Sequence, residues 1–467
     1  MTLGLVISRR VKSSADFLVA GRSLGPGRVF AMFLAANIGA GSTVGATGLG
    51  YRFGMSAWWW VGSASIGSLL LSQFLGPKLW RVAKKHGLAT LPDFLEFRYD
   101  KRVKAMISVL FWLGTMALLA AQLIAISTIL NTVAGIPKWA GCLIGGVVAI
   151  VYCTAGGMMS SSFVNMFELS VTMSGLLLAV PFALHAVGGW GHLHGVIAAQ
   201  KGAAGSGMFS LTGVGAKQIC AWLAILVPSF MISPGLVQKV YGARDVGAVR
   251  KGVALNAAGQ AVFAFVPAVL GLCALAALPH LANPEFALPA AMKLLLPKWL
   301  GVWTLASIFS AELSSTDAIL FMLSSSLAVD LVKTFVWPGI SQRGLLRVSR
   351  VAMIGAGVAG VVLATVLPSI IAAVTVFYGL IAVSLFVPVV VGVYSKRVMT
   401  SAAIASIVSA LAATILTMRL TNGHGVGVLS AQAVGILTAA VVMVGFRMFA
   451  PGRPRENAAF AGGTESR

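Results

Sequence analysis

The chain has 467 residues, of which 58% are hydrophobic and only 10% charged, and its mean hydropathy is +0.93. A soluble domain carries about 25% charged residues. This composition therefore excludes a soluble enzyme and describes an all-α polytopic membrane protein with little room for a soluble domain. A formal charge of +22 would point to nucleic acid only if the basic residues formed one binding face. They follow the loops instead.

The apolar stretch Met1–Ile7 is too short to span a bilayer. It reads as a stub helix or as the end of a segment that begins upstream. A basic, polar run, Ser8–Arg28, follows. Apolar segments then lie at about 29–51, 55–77, 105–134, 138–155, 158–187, 217–237, 253–279, 299–332, 349–368, 369–395, 399–418 and 428–449, giving about twelve spans after the stub. The expected organisation is a stub and cytoplasmic loop (1–28), a core (29–395), two peripheral C-terminal helices (396–449) and a tail (450–467).

The segment at 29–51 cannot be a comfortable continuous helix. Gly39, Gly41, Gly45, Gly48 and Gly50 each cost about 1 kcal/mol relative to Ala in a helix interior. A break at membrane depth frees backbone groups that only protein or a water-lined cavity satisfies, and secondary transporters bind ions and substrates at such breaks. The competing reading is that these glycines let helices pack closely.

When alternating sides are assigned, 27 of the 34 Lys and Arg residues fall on the side holding Ser8–Arg28 and the C-terminal tail. The seven on the other side are Arg52, Lys138, Lys201, Lys217, Lys293, Lys298 and Arg419. This positive-inside asymmetry predicts a multi-pass protein of the plasma (inner) membrane with a cytoplasmic C-terminus. It accounts for the basic charge through topology and lipid contact. The longest external loop is expected at 188–216. Lys84–Arg102 reads as a segment along the inner membrane surface.

Acids within spans are costly and mark function by default. They are Glu168, Glu312 and Asp317, with Asp330 near a helix end, and no conspicuous basic partner sits within the spans. Ala311, Ser314 and Ser315 stand at i, i+3 and i+4 and so share one helix face. Two hydroxyls and nearby carbonyls make a neutral oxygen patch of the kind sodium needs. The alternative is that the serines bond back to their own helix or join neighbouring helices. Cys142, Cys153, Cys220 and Cys273 show no paired or metal-ligand spacing and read as packing residues. The chain shows no Ser/His/Asp set, phosphate loop or metal pattern, so no enzyme is expected.

Ordered motifs then add a resemblance. Ser13-Ser14-Ala15-Asp16-Phe17-Leu18-Val19-Ala20-Gly21-Arg22-Ser23-Leu24, Ala35-Ala36-Asn37-Ile38 and Leu91-Pro92-Asp93-Phe94-Leu95-Glu96-Phe97-Arg98-Tyr99 occur in that order. They are followed by Tyr152–Gly157 with Asn165 and Glu168, then by Val237–Asp245 with Arg250-Lys251-Gly252. Together they resemble the sodium/solute symporter family, which includes sodium-coupled transporters of sugars, proline, pantothenate and monocarboxylates. The resemblance implies a LeuT-type fold of two inverted five-helix repeats (about 29–187 and 217–395). The segments at 29–51 and 217–237 would be discontinuous, and Pro228 and Pro234 fit the second. It also implies a site for Na+, the coupling ion, made by the carbonyls of Ala35, Ile38 and Ala311 and the hydroxyls of Ser314 and Ser315.

The chain departs from the family pattern in two places. Asn165 stands where the family usually has Asp, and Glu168 where it often has Gln. One turn apart, Glu168 is expected to supply the charge Asn165 lacks, with Glu312 and Asp317 as further coupling or gating residues. Gly41-Ser42 replaces the acid–amide pair of sugar-type members, and the helix lacks the acid of proline-type members. A small polar or anionic solute facing Asn37, Gly41, Ser42 and Thr43 is expected. The implied function is sodium-coupled solute import by alternating access, with a small-molecule substrate and membrane lipid as partners and neither nucleic acid nor an obligate protein partner. The alternatives are a proton-coupled porter of the same fold and a transporter-like sensor, against which the short tail after Phe449 weighs.

Overall fold

A computed structural model describes residues 19–153 and 157–449, without the side chains of residues 152–165, 203–204, 447 and 449. Among these residues the chain is helical throughout, apart from two isolated bridges, Leu24 with Ala243 and Val426 with Leu429.

The first span is split as its glycines predict. α1 (Pro26–Asn37) starts on a proline, whose missing N–H is no loss at that position. Residues 38–43 leave the helix, and α2 (Val44–Phe53) resumes it. α3 (Trp58–Leu70) runs through a π-helical turn, Leu71–Leu75, into α4 (Gly76–His86). α5 (Leu91–Arg98) opens on a capping box between Thr90 and Asp93. α6 (Lys101–Ala134) is capped by Asp100, and α7 (Lys138–Cys153), α8 (Gly157–Ala186) and α9 (Gly189–Lys201) follow. α9 occupies the region expected as a loop, because its Leu193 and Ile197 find a buried face.

The second broken span is α10 (Ala216–Ile232) and α11 (Pro234–Tyr241), separated at Ser233. Pro234 cannot donate its amide back to α10 and starts the new helix instead. The chain continues with α12 (Val246–Phe263), α13 (Phe265–Ala277), α14 (Ala287–Leu295) and α15 (Lys298–Ser325), which runs on into a π-helical stretch, Ser326–Val336. α16 (Gln342–Val366), α17 (Ile370–Tyr394), α18 (Thr400–Leu420) and α19 (Ala431–Phe449) complete it. Among the described residues, eight helical stretches are long and apolar enough to cross a bilayer. The first apolar segment is not among them, because its break leaves two short helices.

α15 packs against α6, α8 and α16, and α1 against α12 and α8; α18 and α19 pair at the periphery on α17. α2 lies directly on α13. A side chain on Gly50 would meet the Pro267 carbonyl at 2.8 Å, and one on Gly271 would meet the Gly50 backbone at 2.5 Å, so the two backbones touch through paired glycines. The stretch expected along the membrane surface packs inward instead. Leu91, Phe94, Leu95 and Arg98 are buried, and the Arg98 guanidinium donates to the carbonyls of Gly392 (2.6 Å) and Ser395.

Candidate functional site

The backbone freed between α1 and α2 is satisfied by side chains. The Ser42 hydroxyl lies 2.8 Å from the Asn37 carbonyl and accepts the Gly39 amide at 3.0 Å. The Ala40 amide donates to Gln122 Oε1 on α6 at 2.9 Å, and Trp60 Nε1 on α3 donates to the Gly41 carbonyl at 2.8 Å. Gly39 is required here. A Cβ on it would meet Ser315 Cβ at 2.8 Å and Gln122 Oε1 at 2.9 Å. Gln122 was not anticipated from the sequence, although a lone amide in a long apolar run was its signal.

α15 presents its serine face to this break. Ser315 Oγ lies 3.1 Å from the Ile38 carbonyl and 3.3 Å from that of Ala35. One hydroxyl hydrogen is thus shared between two carbonyls. Ser314 and Ala311 are buried beside it, and Ser314 Oγ has no hydrogen-bond partner among the described residues. The Ser315 hydroxyl and the Ala35 and Ile38 carbonyls that it meets are neutral hard oxygens, the ligand type that suits a small cation.

The residues expected to face substrate divide. Ser42 and Thr43 turn into the break: Thr43 Oγ1 contacts Glu312 Oε1 at 2.7 Å and the Gly39 carbonyl at 3.0 Å. Gly41 offers its carbonyl to Trp60. Asn37 instead lines a cavity of about 40 Å³ with Ser233, Lys239 and Tyr378, among Leu118, Phe230, Met322 and Phe377. Asn37 Nδ2 donates to Asn256 Oδ1 at 3.2 Å, and Asn256 Nδ2 to Gln260 Oε1 at 3.3 Å, so a polar ladder ties α1 to α12. The cavity touches both helix breaks.

Lys239 corrects the expectation that the spans hold no basic group. It is 5% exposed in α11, and among the described residues its Nζ makes one hydrogen bond, to the Gly235 carbonyl at 3.5 Å. Asp317 on α15 is its electrostatic partner. The sequence placed Lys239 in a cytoplasmic loop because the restart of the helix after Pro234 is invisible in hydropathy. Of the coupling residues, the Asn165 side chain lies outside the described residues, while Glu168 is buried on α8. One turn on, Thr172 donates to the Ser307 carbonyl of α15 at 3.2 Å. Asp330 is buried and accepts the Thr90 hydroxyl at 2.7 Å, in the π-helical stretch that follows α15.

The sodium:solute symporter family pattern matches residues 17–410. The chain belongs to the sodium:solute symporter family. It is 24% identical to a sodium/glucose cotransporter of Vibrio parahaemolyticus over 88% of this chain and 81% of that one. It is 27% identical to a sodium/pantothenate symporter of Escherichia coli, over 70% and 68%. Its fold superimposes on a Na+-coupled sialic acid symporter in a substrate-bound outward-open state with a TM-score of 0.79, at 17% identity, covering 97% of this chain and 96% of that one. The fold is therefore LeuT-type, and the activity is sodium-coupled secondary transport of a small molecule across a membrane, not catalysis.

Proposed function

We propose that this symporter imports a small organic anion together with sodium. The ion is held by the carbonyls of Ala35, Ile38 and Ala311 and the hydroxyls of Ser314 and Ser315. The observation that carries this reading is the Ser315 hydroxyl shared between the Ile38 and Ala35 carbonyls beside the unpartnered Ser314 hydroxyl. A sodium ion there binds α1 to α15 and biases the outward-open state. The solute completes the site between the two breaks, and the assembly then opens inward. Residues 29–187 and 217–395 act as the inverted repeats, with the C-terminus cytoplasmic.

Lys239 supports an anionic solute. A buried ammonium that makes one long hydrogen bond and has Asp317 as a nearby counter-charge can also attract a carboxylate, and it lines the cavity at the breaks. The test is uptake of labelled small carboxylates and neutral analogues into proteoliposomes, with inward sodium or potassium gradients. Sodium-driven uptake of a carboxylate, but not of its amide, is expected. Carboxylate uptake driven by a pH gradient without sodium would overturn the reading.

A further inference from the structure

A second cluster of oxygens lies on the outer side of the break and takes no part in the site just described. Glu312 is fully buried; its Oε1 meets the Thr43 hydroxyl at 2.7 Å, and the Ala40 amide also faces the carboxylate. Its Oε2 is buried and accepts no hydrogen bond among the described residues. Thr43 has a single hydroxyl hydrogen but two acceptors, Glu312 Oε1 and the Gly39 carbonyl at 3.0 Å. Beside an ionised Glu312 that one hydrogen is shared between the two acceptors, so neither is fully satisfied. One turn further along α2, the Thr47 amide donates to the Thr43 carbonyl at 2.9 Å. The two threonines thus share a face, and Thr47 Oγ1 is also buried without a partner. Among the described residues no Lys or Arg forms an ion pair with Glu312. A buried carboxyl group is either neutralised by a proton or balanced by a cation.

We propose that Glu312, Thr43 and Thr47 form a second sodium site, separate from the Ser314–Ser315 face and on the opposite side of the break. One carboxylate balances one monovalent ion, and the ligands are all hard oxygens, with no nitrogen or sulfur to favour a transition metal. A cation held there would take the Thr43 hydroxyl oxygen as a ligand and supply a partner to Glu312 Oε2 and, one turn along, to Thr47 Oγ1. Because Glu312 sits on α15, Thr43 at the end of the break and Thr47 on α2, the ion ties the start of α2 to the helix that also carries the first site. The inference rests on the reading that sodium drives transport and adds the stoichiometry: two ions per cycle.

The test needs no solute. Equilibrium binding of radioactive sodium to the purified full-length protein is measured by scintillation proximity. The expected result is two ions on the wild type, one on Glu312→Gln and one on Ser315→Ala. Thr47→Val, which keeps charge and shape, is expected to bind two with the second several-fold weaker. One ion on both wild type and Glu312→Gln, lost in Ser315→Ala, would remove the second site and leave the first reading standing; Glu312 would then be neutralised by a proton. No sodium on the wild type would bring down the first reading instead. If Glu312→Gln does not fold, Thr47→Val decides alone, and an isotherm identical to wild type overturns the site.

Discussion

Ser315 Oγ lies 3.1 Å from the carbonyl of Ile38, a residue 277 positions earlier in the chain. That contact joins the broken part of the first span to the face of α15, and the two serines of that face play unequal parts. Ser315→Ala loses the link as well as a ligand and is expected to lower stability by about 1 kcal/mol. Ser314→Ala removes a hydroxyl with no protein partner. It should leave the thermal unfolding midpoint unchanged while raising the sodium concentration needed for half-maximal binding about tenfold, equivalent to about 1.4 kcal/mol. Sodium titration and thermal unfolding of the two variants check the contrast.

Gly39→Ala is expected to fold but bind sodium poorly. The added methyl group meets Ser315 Cβ and Gln122 Oε1 at under 3 Å, so it displaces the serine or the glutamine that satisfies the Ala40 amide. A loss of at least tenfold in sodium affinity, with expression near wild type, is the expected outcome. Unchanged affinity would show that Ser315 can retreat without cost.

Lys239→Gln should cut sodium-driven uptake of a carboxylate by about 10–100-fold, the worth of a charge-assisted hydrogen bond. Sodium binding without solute should stay near wild type. Lys239→Arg, which keeps the charge, should retain part of the uptake. Equal loss of sodium binding in Lys239→Gln would assign the lysine to structure rather than to solute.

Glu285 carries a pH signature outside the spans. Its Oε1 accepts the Ile370 amide at 2.7 Å and the Ile371 amide at 3.3 Å, capping α17. Burial pushes its carboxyl above the ordinary value, partly opposed by those two amides. A raised folded-state value means the folded protein holds the proton more tightly than the unfolded chain. The contribution to stability is therefore full below the unfolded value and is lost as pH rises through the folded one. Thermal stability should show this decline in the wild type. Glu285→Gln, which keeps an acceptor oxygen, should lack it.

The sequence made the break in the first span legible but not its extent. Of the five glycines, Gly39 and Gly41 lie in the break. Gly45, Gly48 and Gly50 lie inside α2, where Gly48 and Gly50 face the backbones of Pro284 and Pro267. Breaking and packing were both correct readings, of different residues, and composition alone cannot separate them. The Ala311–Ser314–Ser315 face follows from helix periodicity, whereas its carbonyl partners at Ala35 and Ile38 came from family resemblance. Gln122, Lys239 and Asn256 escaped because their roles depend on which helices meet, and only the packed structure supplies that.

The glycine-on-glycine seam between α2 and α13 has a mechanical consequence. Two backbones in direct contact have no side-chain cushion to deform, so they form a single stiff strut, and any load on α2 is borne by α13 as well. Compliance is left to the six residues of the break, 38–43. Spin labels placed on the exposed positions Arg52 and Phe265 should keep their mutual distance whether sodium is present or absent, while the distance from either to α1 changes.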